Sequence, residues 1–360
     1  MMKRAWLLTL LAAVVAGCGK SIPAGMPDGG NPDAMLALDA MRPAPDARLA
    51  DAMRPAPDAM LALDANVNVA IDAAAPIACP NSQNPTNKGF ICPTATAMSW
   101  TYDTDASAWV AVGPADFSCL GTPSTDTAST VDINLAGLVR DFQRGTPLAD
   151  ASIEVFPGVD FGSAFPANPA IVTGADGTFA ATLPTGQTRV GFKVTATDYM
   201  DTYTLDHYYD PNTADQADEF YAISGATADL VTALLGITRT PERGILTGSI
   251  SDCSGNRVSN VIITVSSTSG SHEHLAGAVS YYFTAAAISL PTSHRLAPQT
   301  NKDGLFLVIE LPEAPNAYLQ VWGFTPDQDP TIDPLTLIAE IPSPVVSASA
   351  IIADLEPLRQ

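Results

Sequence analysis

The sequence predicts an all-β protein in which two tandem β-sandwiches follow a disordered N-terminal tether. After Thr130 the chain consists of short segments in which apolar and polar residues alternate, with turn residues between them. A set of motifs that begins at Gly137 recurs from Gly248. Before residue 78, by contrast, the composition is dominated by Ala, Pro, Asp and Met, which does not support a folded core.

The first 17 residues have the layout of a secretory leader. Lys3 and Arg4 precede an apolar run from Ala5 to Val15, and two small residues then precede Cys18. The run is too short to span a bilayer comfortably. Val15 to Cys18 resembles the lipobox of bacterial lipoproteins, in which the cysteine sulfur receives a diacylglycerol before cleavage. The alternative is an ordinary signal peptide with an accidental cysteine.

The resemblance implies that residues 1–17 are removed and that Cys18 becomes a lipidated N-terminus. Several acyl chains hold a protein on a membrane essentially permanently. The membrane is therefore the first predicted partner, through this lipid anchor. Gly19 and Lys20 follow the cysteine, and neither is the aspartate of an inner-membrane retention signal. This favours the outer membrane, facing either the periplasm or the exterior.

Residues 18–77 are predicted to be a disordered tether. The string DAMLALDA occurs at Asp33 to Ala40 and again at Asp58 to Ala65, and four prolines near these copies interrupt any helix. The regularly spaced aspartates repel one another and anionic headgroups. We expect the tether to hold the folded part away from the bilayer. Alternatively, the Met-Leu-Ala-Leu patches form a helix that docks on a partner.

Residues 78–129 are predicted to form a small cysteine-containing cap. Trp100, Tyr102 and Trp109 flank a polar turn, which predicts a β-hairpin closed by aromatic packing between its strands. The alternative role for exposed tryptophans is stacking on a carbohydrate. We favour packing, because a small cap needs these rings for its own core.

Apart from Cys18, the chain has four of its five cysteines in the predicted folded part. An even number in an exported protein suits two disulfides, and four cysteines allow three connectivities. Pairing Cys79 with Cys92 and Cys119 with Cys253 would close one short loop and one long loop. Their spacing fits no zinc motif. The candidates are Cys79, Cys92, Cys119 and Cys253.

The first sandwich is predicted over residues 130–240 and the second over 241–360. Val131, Ile133 and Leu135, like Ile153 and Val155 further on, are spaced to place apolar side chains on one face of a sheet. One helix is expected, from Ala226 to Leu235, with the glycine that follows ending it.

The internal repeat consists of three motifs. A glycine opens a strand at Gly137 and at Gly248, a second strand follows, and a Thr-x-x-Asp-Gly-x-Phe hairpin ends at Phe179 and at Phe306. Asp-Gly marks a tight turn, because glycine accepts positive φ, and the aromatic residue after it re-enters the core. The second copy carries an insertion around Ser269 to Leu296.

These motifs resemble the carboxypeptidase regulatory-like domain. The first copy keeps the Pro-Leu-Ala-x-Ala-x-Ile second strand at Pro147 to Ile153, whereas the second copy has Arg257 to Asn260 in place of the proline-alanine run. The resemblance implies two seven-stranded, transthyretin-like, Greek-key sandwiches. Similar tandem arrangements occur in bacterial surface lipoproteins of unassigned role.

Composition and motifs exclude several functional classes. The net charge is −21 and the sequence pI about 4.2, which argues against binding to a nucleic-acid backbone. The chain has no His-x-x-Glu pair of a zinc carboxypeptidase, no Gly-x-Ser-x-Gly elbow and no phosphate-binding loop. We therefore expect no enzyme activity and no cofactor.

The remaining chemical signal is the sequence SHEH. His272 and His274 would share one face of an extended segment and could hold copper or zinc. Intradiol dioxygenases have a related sandwich and an iron site with a His-x-His pair, but their tyrosines precede the histidines, whereas Tyr281 and Tyr282 follow them here. We favour a solvated loop. The segment from Asp206 to Asp210 is likewise interpreted as a strand end.

The sequence thus predicts a lipid-anchored protein of the bacterial cell envelope that acts as a non-catalytic binding or scaffolding module for protein or glycan. Sandwich loops and exposed sheet edges suit such contacts. The alternative is a metal-dependent oxidoreductase with its site at His272 and His274.

Overall fold

The computed structural model describes residues 90–163, 165, 171–271, 273–284, 289–293 and 295–359, all of which lie in one compact unit of the chain. The signal peptide and tether predicted before residue 78 lie outside the described residues. A hairpin comes first, formed by β1 (Met98–Asp103) and β2 (Ala108–Pro114). The strands after it fall into two sets, which we call the first half and the second half.

The first half contains seven strands in two sheets. One sheet has the order β6-β3-β9, and the other contributes β8-β7-β4-β5 to a larger sheet. Its core is formed by Phe192, Phe220 and the aliphatic side chains that face them from both sheets. The strands are β3 (Ile133–Asp141), β4 (Ser152–Pro157), β5 (Ile171–Val172), β6 (Thr178–Leu183), β7 (Arg189–Thr195), β8 (Thr202–Tyr208) and β9 (Asp215–Ala222).

The second half repeats this topology. Strand β10 pairs antiparallel with β15 and parallel with β18, as β3 pairs with β6 and β9, and β12-β16-β17 corresponds to β4-β7-β8. The predicted insertion supplies β13 and β14. The strands are β10 (Gly244–Ile250), β11 (Arg257–Ser259), β12 (Val261–Ser266), β13 (Val279–Phe283), β14 (Pro291–Thr292), β15 (Leu305–Leu311), β16 (Tyr318–Gly323), β17 (Thr336–Pro342) and β18 (Ala350–Leu355).

The repeated glycine and phenylalanine are in contact in both halves. A Cβ atom at Gly137 would lie 2.1 Å from the ring of Phe179, and one at Gly248 would lie 3.0 Å from the ring of Phe306 and 1.7 Å from a carbonyl oxygen of β18. The glycine is required because the aromatic side chain of the neighbouring strand occupies the space above it. The sequence motif therefore encodes a packing contact within the sheet.

The two halves share one nine-stranded sheet, in the order β14-β13-β15-β10-β18-β8-β7-β4-β5. Strand β18 lies in the middle and pairs in parallel with β10 on one side and with β8 on the other. A hydrophobic cluster accordingly crosses the junction, with Phe156 and Tyr203 of the first half packed among residues of the second. The sequence predicts two separate sandwiches and carries no signal for this shared sheet.

The cap is attached to the second half. Strand β1 pairs with β11 and with β2 in a three-stranded sheet, and Ala97 donates its backbone N–H to Phe324. A disulfide joins Cys119 to Cys253, at a sequence separation of 134. Hydrogen bonds and a covalent bond therefore both hold the cap in place.

The helix α1 (Gly225–Leu234) begins at the N-cap Ser224, whose side chain accepts from the N–H of Thr227. It ends before Gly236, which has a φ of +73°. Thr227, Ala228 and Thr232 are its buried residues, while Leu230 and Leu234 are exposed. The helix covers the outer face of β10 and β15 above an apolar cavity of about 40 Å³.

The predicted all-β sandwich class is confirmed, and the helix lies within one residue of its predicted start and end. Val131 was expected to join the first strand, but β3 begins at Ile133 and Val131 is exposed. The domain boundaries at residues 130 and 241 stay predictions. In the described part of the chain, no helix has the length and apolarity needed to cross a membrane.

The glycine–phenylalanine contact generates the first testable prediction. Gly137→Ala should lower the free energy of unfolding by about 1–3 kcal/mol, because the Phe179 ring must move. Gly248→Ala should lower the free energy of unfolding further, since the added methyl group meets backbone atoms. Urea denaturation measures both. Gly225→Ala, with its nearest neighbouring atom 4.0 Å away at the start of a helix, is the control and should have little effect. If Gly137→Ala and Gly248→Ala unfold at the same urea concentration as the wild type, the glycine–phenylalanine contact is contradicted.

Candidate functional site

An open cleft of about 530 Å³ lies between the cap and the second half, and we call it the cap cleft. One wall is the segment that follows β2, and the other is the loop between β16 and β17. Its walls combine carboxylate, amide and hydroxyl groups with apolar side chains. The lining residues are Ala115, Asp116, Phe117, Ser118, Leu120, Thr325, Pro326, Asp327, Gln328 and Thr336.

The cap wall is fixed by contacts with the turn after β10. The backbone N–H of Asp116 donates to the buried carboxylate of Asp252, and the N–H of Cys253 donates to the carbonyl of Asp116 at 2.9 Å. The hydroxyl of Ser254 donates to the Asp116 carboxylate at 2.7 Å. The disulfide at Cys119 ties the same wall covalently. This wall is therefore preorganised.

The opposite wall is organised by Gln328. Its Oε1 accepts from the N–H of Thr325 at 2.8 Å and from the hydroxyl of Thr336 at 3.0 Å, while its Nε2 donates to the carbonyl of Pro334 at 2.9 Å. The hydroxyl of Thr325 donates to Asp327 at 2.5 Å. One side chain thus closes the loop on itself, and Asp327 is left exposed at its tip.

The cap cleft is anionic. Hydrogen bonds from the Ser118 side chain and backbone and from Ser254 lower the pKa of Asp116, and hydrogen bonding by Thr325 lowers the pKa of Asp327. Both groups are therefore carboxylates at neutral and mildly acidic pH. They can accept hydrogen bonds from hydroxyl groups and repel phosphate or sulfate, while Phe117 and Leu120 supply apolar surface.

The tryptophans of the hairpin are engaged in packing. The indole N–H of Trp100 donates to the hydroxyl of Ser259 at 2.9 Å, which ties the hairpin to β11. The rings of Tyr102 and Trp109 meet edge to face at 5.4 Å. The structure therefore places these rings in the cross-strand contacts that the sequence analysis favoured over carbohydrate stacking.

Of the predicted His-x-His pair, the structure describes His274, whereas His272 lies outside the described residues. The solvated loop expected for this segment is wrong at His274, which is buried. Its Nδ1 accepts from the N–H of Val265 at 2.9 Å, while Nε2 lies 3.2 Å from the hydroxyl of Ser280. The two ring nitrogens thus link β12 to β13, which lies in the other sheet of the second half. No group of three or more potential metal-binding side chains occurs within the described ranges.

The segment from Asp206 to Asp210 ends β8, as its sequence indicated. Asp206 has a φ of +55° and accepts from Arg189, while Asp210 accepts from the turn that follows. His207 Nε2 lies 3.1 Å from a carboxylate oxygen of Asp218. The contact between His207 and Asp218 joins the two sheets of the first half.

Three of the four candidate disulfide cysteines lie in the described part of the chain, and all three are disulfide-bonded. Cys119 and Cys253 form one of the pairings that the sequence left open. Cys92 is also disulfide-bonded, whereas Cys79 and Cys18 lie outside the described residues. Lipidation of Cys18 stays a prediction.

Sequence reasoning missed the cap cleft. Neither Asp116 and Phe117 nor the turn-forming string Pro326 to Pro330 was identified from the sequence. The available signal was weak. A long loop rich in proline and aspartate joins two strands of a sandwich, which is where binding residues tend to lie.

Burial of His274 generates a pH prediction. Desolvation lowers its pKa from 6.5 to about 4, so the unfolded chain binds a proton that the folded protein does not. Protonation of the unfolded chain at His274 therefore has little effect well above pH 6.5, and it lowers the free energy of unfolding by up to about 3 kcal/mol as the pH falls to 4. His274→Gln should flatten this fall, as measured by urea denaturation between pH 7.5 and pH 4. A variant as pH-sensitive as the wild type would refute the assignment.

No protein family model matches the chain, and no curated protein matches it either. Among solved structures, hydroxyquinol 1,2-dioxygenase from Pseudomonas putida DLL-E4 is 15% identical with a TM-score of 0.19, and the match covers 29% of this chain and 62% of the dioxygenase. A candidate carbohydrate-binding protein from Bacteroides uniformis is 10% identical with a TM-score of 0.21, covering 58% and 99% of the two chains. A DUF3823 family protein from Parabacteroides merdae is 13% identical with a TM-score of 0.19, covering 60% and 98%. These TM-scores are too low to support an argument about function.

Proposed function

We propose that the protein is a non-catalytic binding module of the bacterial cell envelope and that the cap cleft binds a neutral glycan. The observation that carries this proposal is a preorganised cleft in which two ionised carboxylates stand beside apolar side chains. Sugars present hydroxyl donors around apolar ring faces, and this cleft offers the complementary groups. Its volume lies within the range of small-ligand sites.

The protonation of the two carboxylates favours binding over hydrolysis. Most glycoside hydrolases need one carboxylic acid with a raised pKa to protonate the leaving group. Hydrogen bonds lower the pKa of both Asp116 and Asp327, so neither is suited to that role. The cleft also repels anionic ligands. We therefore expect selectivity for neutral oligosaccharides over their sulfated or phosphorylated counterparts.

The sequence of the leader supports placement in the envelope. The lipobox-like residues Val15 to Cys18 would attach the chain to the membrane through lipid, and the predicted tether would separate the anchor from the folded part. A binding module needs this reach in order to meet a glycan beyond the bilayer.

Glycan binding is tested with paired neutral and sulfated oligosaccharides on an array, followed by titration calorimetry. Asp327→Asn should weaken binding of a neutral oligosaccharide about tenfold, because a hydrogen bond to a charged acceptor is worth about 1.5–3 kcal/mol. Asp329→Asn is the matched control. This residue lies in the same loop and accepts from Thr331 in the same way, but it does not line the cleft. Failure of every neutral oligosaccharide to bind, or equal loss in both variants, would overturn the proposal.

Lipid anchoring is tested by expressing the full chain in a bacterial host supplied with radiolabelled palmitate. The wild type should incorporate label and sediment with membranes, whereas Cys18→Ser should lose the label and leave the membrane fraction. Cys92→Ser controls for the loss of a cysteine elsewhere and should keep the label. A labelled Cys18→Ser protein would disprove this anchor.

A further inference from the structure

The apolar cavity beneath α1 lies where the two halves meet, and we call it the helix cavity. Its volume is about 40 Å³, and it is partly enclosed. Its walls come from both halves, from α1 and from the insertion in the second half. The lining residues are Phe142, Ile223, Thr227, Ala228, Val231, Ile245, Thr247, Phe283, Ser289, Pro291, Leu305 and Leu307. Small-ligand sites occur preferentially at junctions of this kind.

The hydroxyl groups in the wall of the helix cavity are already engaged. Thr227 donates to the side-chain oxygen of Gln143 at 3.0 Å, and Thr247 donates to a backbone carbonyl of β15 at 2.9 Å. Ser289 donates to the carboxylate of Asp303. Among the described lining residues, none is charged. A buried water needs two to four polar partners, so we expect this cavity to stay dry.

The same face of the repeated strands is polar in the first half. Gly137 corresponds to Gly248 and Phe179 to Phe306, which aligns β3 with β10 and β6 with β15. The equivalents of the cavity-lining residues on β3 and β6 are exposed to solvent. In this alignment, Ile245, Thr247, Leu305 and Leu307 correspond to Asn134, Ala136, Thr178 and Ala180. The repeat has therefore diverged at the face that carries the cavity.

The two elements that interrupt the repeat both line the helix cavity. Helix α1 contributes three lining residues, and the insertion that carries β13 and β14 contributes Phe283, Ser289 and Pro291. Protein interiors are normally close-packed, and an unfilled cavity destabilises a fold. Ala228 is 1% exposed and lines the cavity with a methyl group, where a larger apolar side chain would fill the space. The fold thus keeps a cavity that one substitution would remove.

We propose that the helix cavity binds the end of a short, unbranched alkyl chain. The apolar lining disfavours charged and strongly polar groups, because they would lose their hydration without gaining hydrogen bonds. A volume of about 40 Å³ holds roughly three or four groups the size of a water molecule, at about 10–15 Å³ each. An apolar cavity that binds benzene measures about 150 Å³, so an aromatic ring is too large for this one.

The size of the cavity also favours a water-soluble compound over a membrane lipid. Burial of one methylene group raises affinity about fourfold. Three or four buried carbons therefore do not compensate for withdrawing a whole acyl chain from a bilayer, because each carbon left in water weakens binding by a similar factor. The ligand is accordingly a soluble compound whose short aliphatic chain enters the cavity while its polar end stays in solvent.

A series of alcohols tests the site, with the Cys18→Ser chain used so that no detergent competes. In ligand-observed NMR titrations from 1-propanol to 1-octanol, affinity should rise about fourfold per carbon over three or four carbons and then level off. 1-Heptanol should bind at least tenfold more tightly than benzyl alcohol, which has the same number of carbons. Absence of saturable binding, an unbroken rise to 1-octanol, or equal binding of benzyl alcohol would overturn the proposal.

Variants of α1 test the location. Ala228→Leu fills the cavity and should weaken 1-heptanol binding at least tenfold, whereas Ala233→Leu, the same change at an exposed position, should not. Val231→Ala enlarges the cavity and should move the plateau to a longer alcohol, which tests the site even if Ala228→Leu does not fold.

Three results would contradict this assignment. They are wild-type binding by Ala228→Leu, an unchanged plateau in Val231→Ala, and sedimentation of the Cys18→Ser chain with phosphatidylcholine vesicles that Ala228→Leu abolishes. The last result would identify a membrane lipid as the ligand. None of these outcomes depends on whether the cap cleft binds a glycan.

Discussion

The parallel pairing of β18 on both sides is the constraint on which the rest of the structure depends. This strand is buried along most of its length and lies between β10 of the second half and β8 of the first. Parallel strands are normally covered on both faces, and here one face packs on the core of the second half while the other contributes to the cluster beneath α1. Because this strand is shared, the two halves form one sheet, and the cap rests on a single framework.

The repeat could be predicted from sequence because each of its motifs describes a local contact. In each copy the motif specifies which residue must lack a side chain and which aromatic ring lies above it, namely Gly137 below Phe179 and Gly248 below Phe306. The helix was found for similar reasons, through its spacing and the glycine that ends it. The pairing of β18 with β8 was not predictable, because it consists of three residue pairs between the two halves and produces no periodic pattern in the sequence. Pairing between distant strands is decided by the complete set of packed faces.

The candidate site likewise has parts that could be predicted from the sequence and parts that could not. The hairpin and its aromatic contacts followed from alternation around a polar turn. The cap cleft did not, because its two walls lie about 200 residues apart in sequence and meet only when the cap docks. Spacing alone made His274 a possible ligand, but burial and two hydrogen bonds assign it to the support of β12. A polar residue in a sequence motif can serve either a ligand or the backbone, and only its neighbours in three dimensions decide which.

The bond between Cys119 and Cys253 has a mechanical consequence. The residues between these cysteines include the whole first half, so this sandwich lies inside a covalently closed loop. Tension pulling on the chain ahead of the cap would pass from sulfur to sulfur into the second half and bypass the intervening residues. The first half would carry little load through its own backbone. Under a steady pull, the disulfide would therefore keep the wall beside Cys119 attached to the second half, which forms the opposite wall of the cleft.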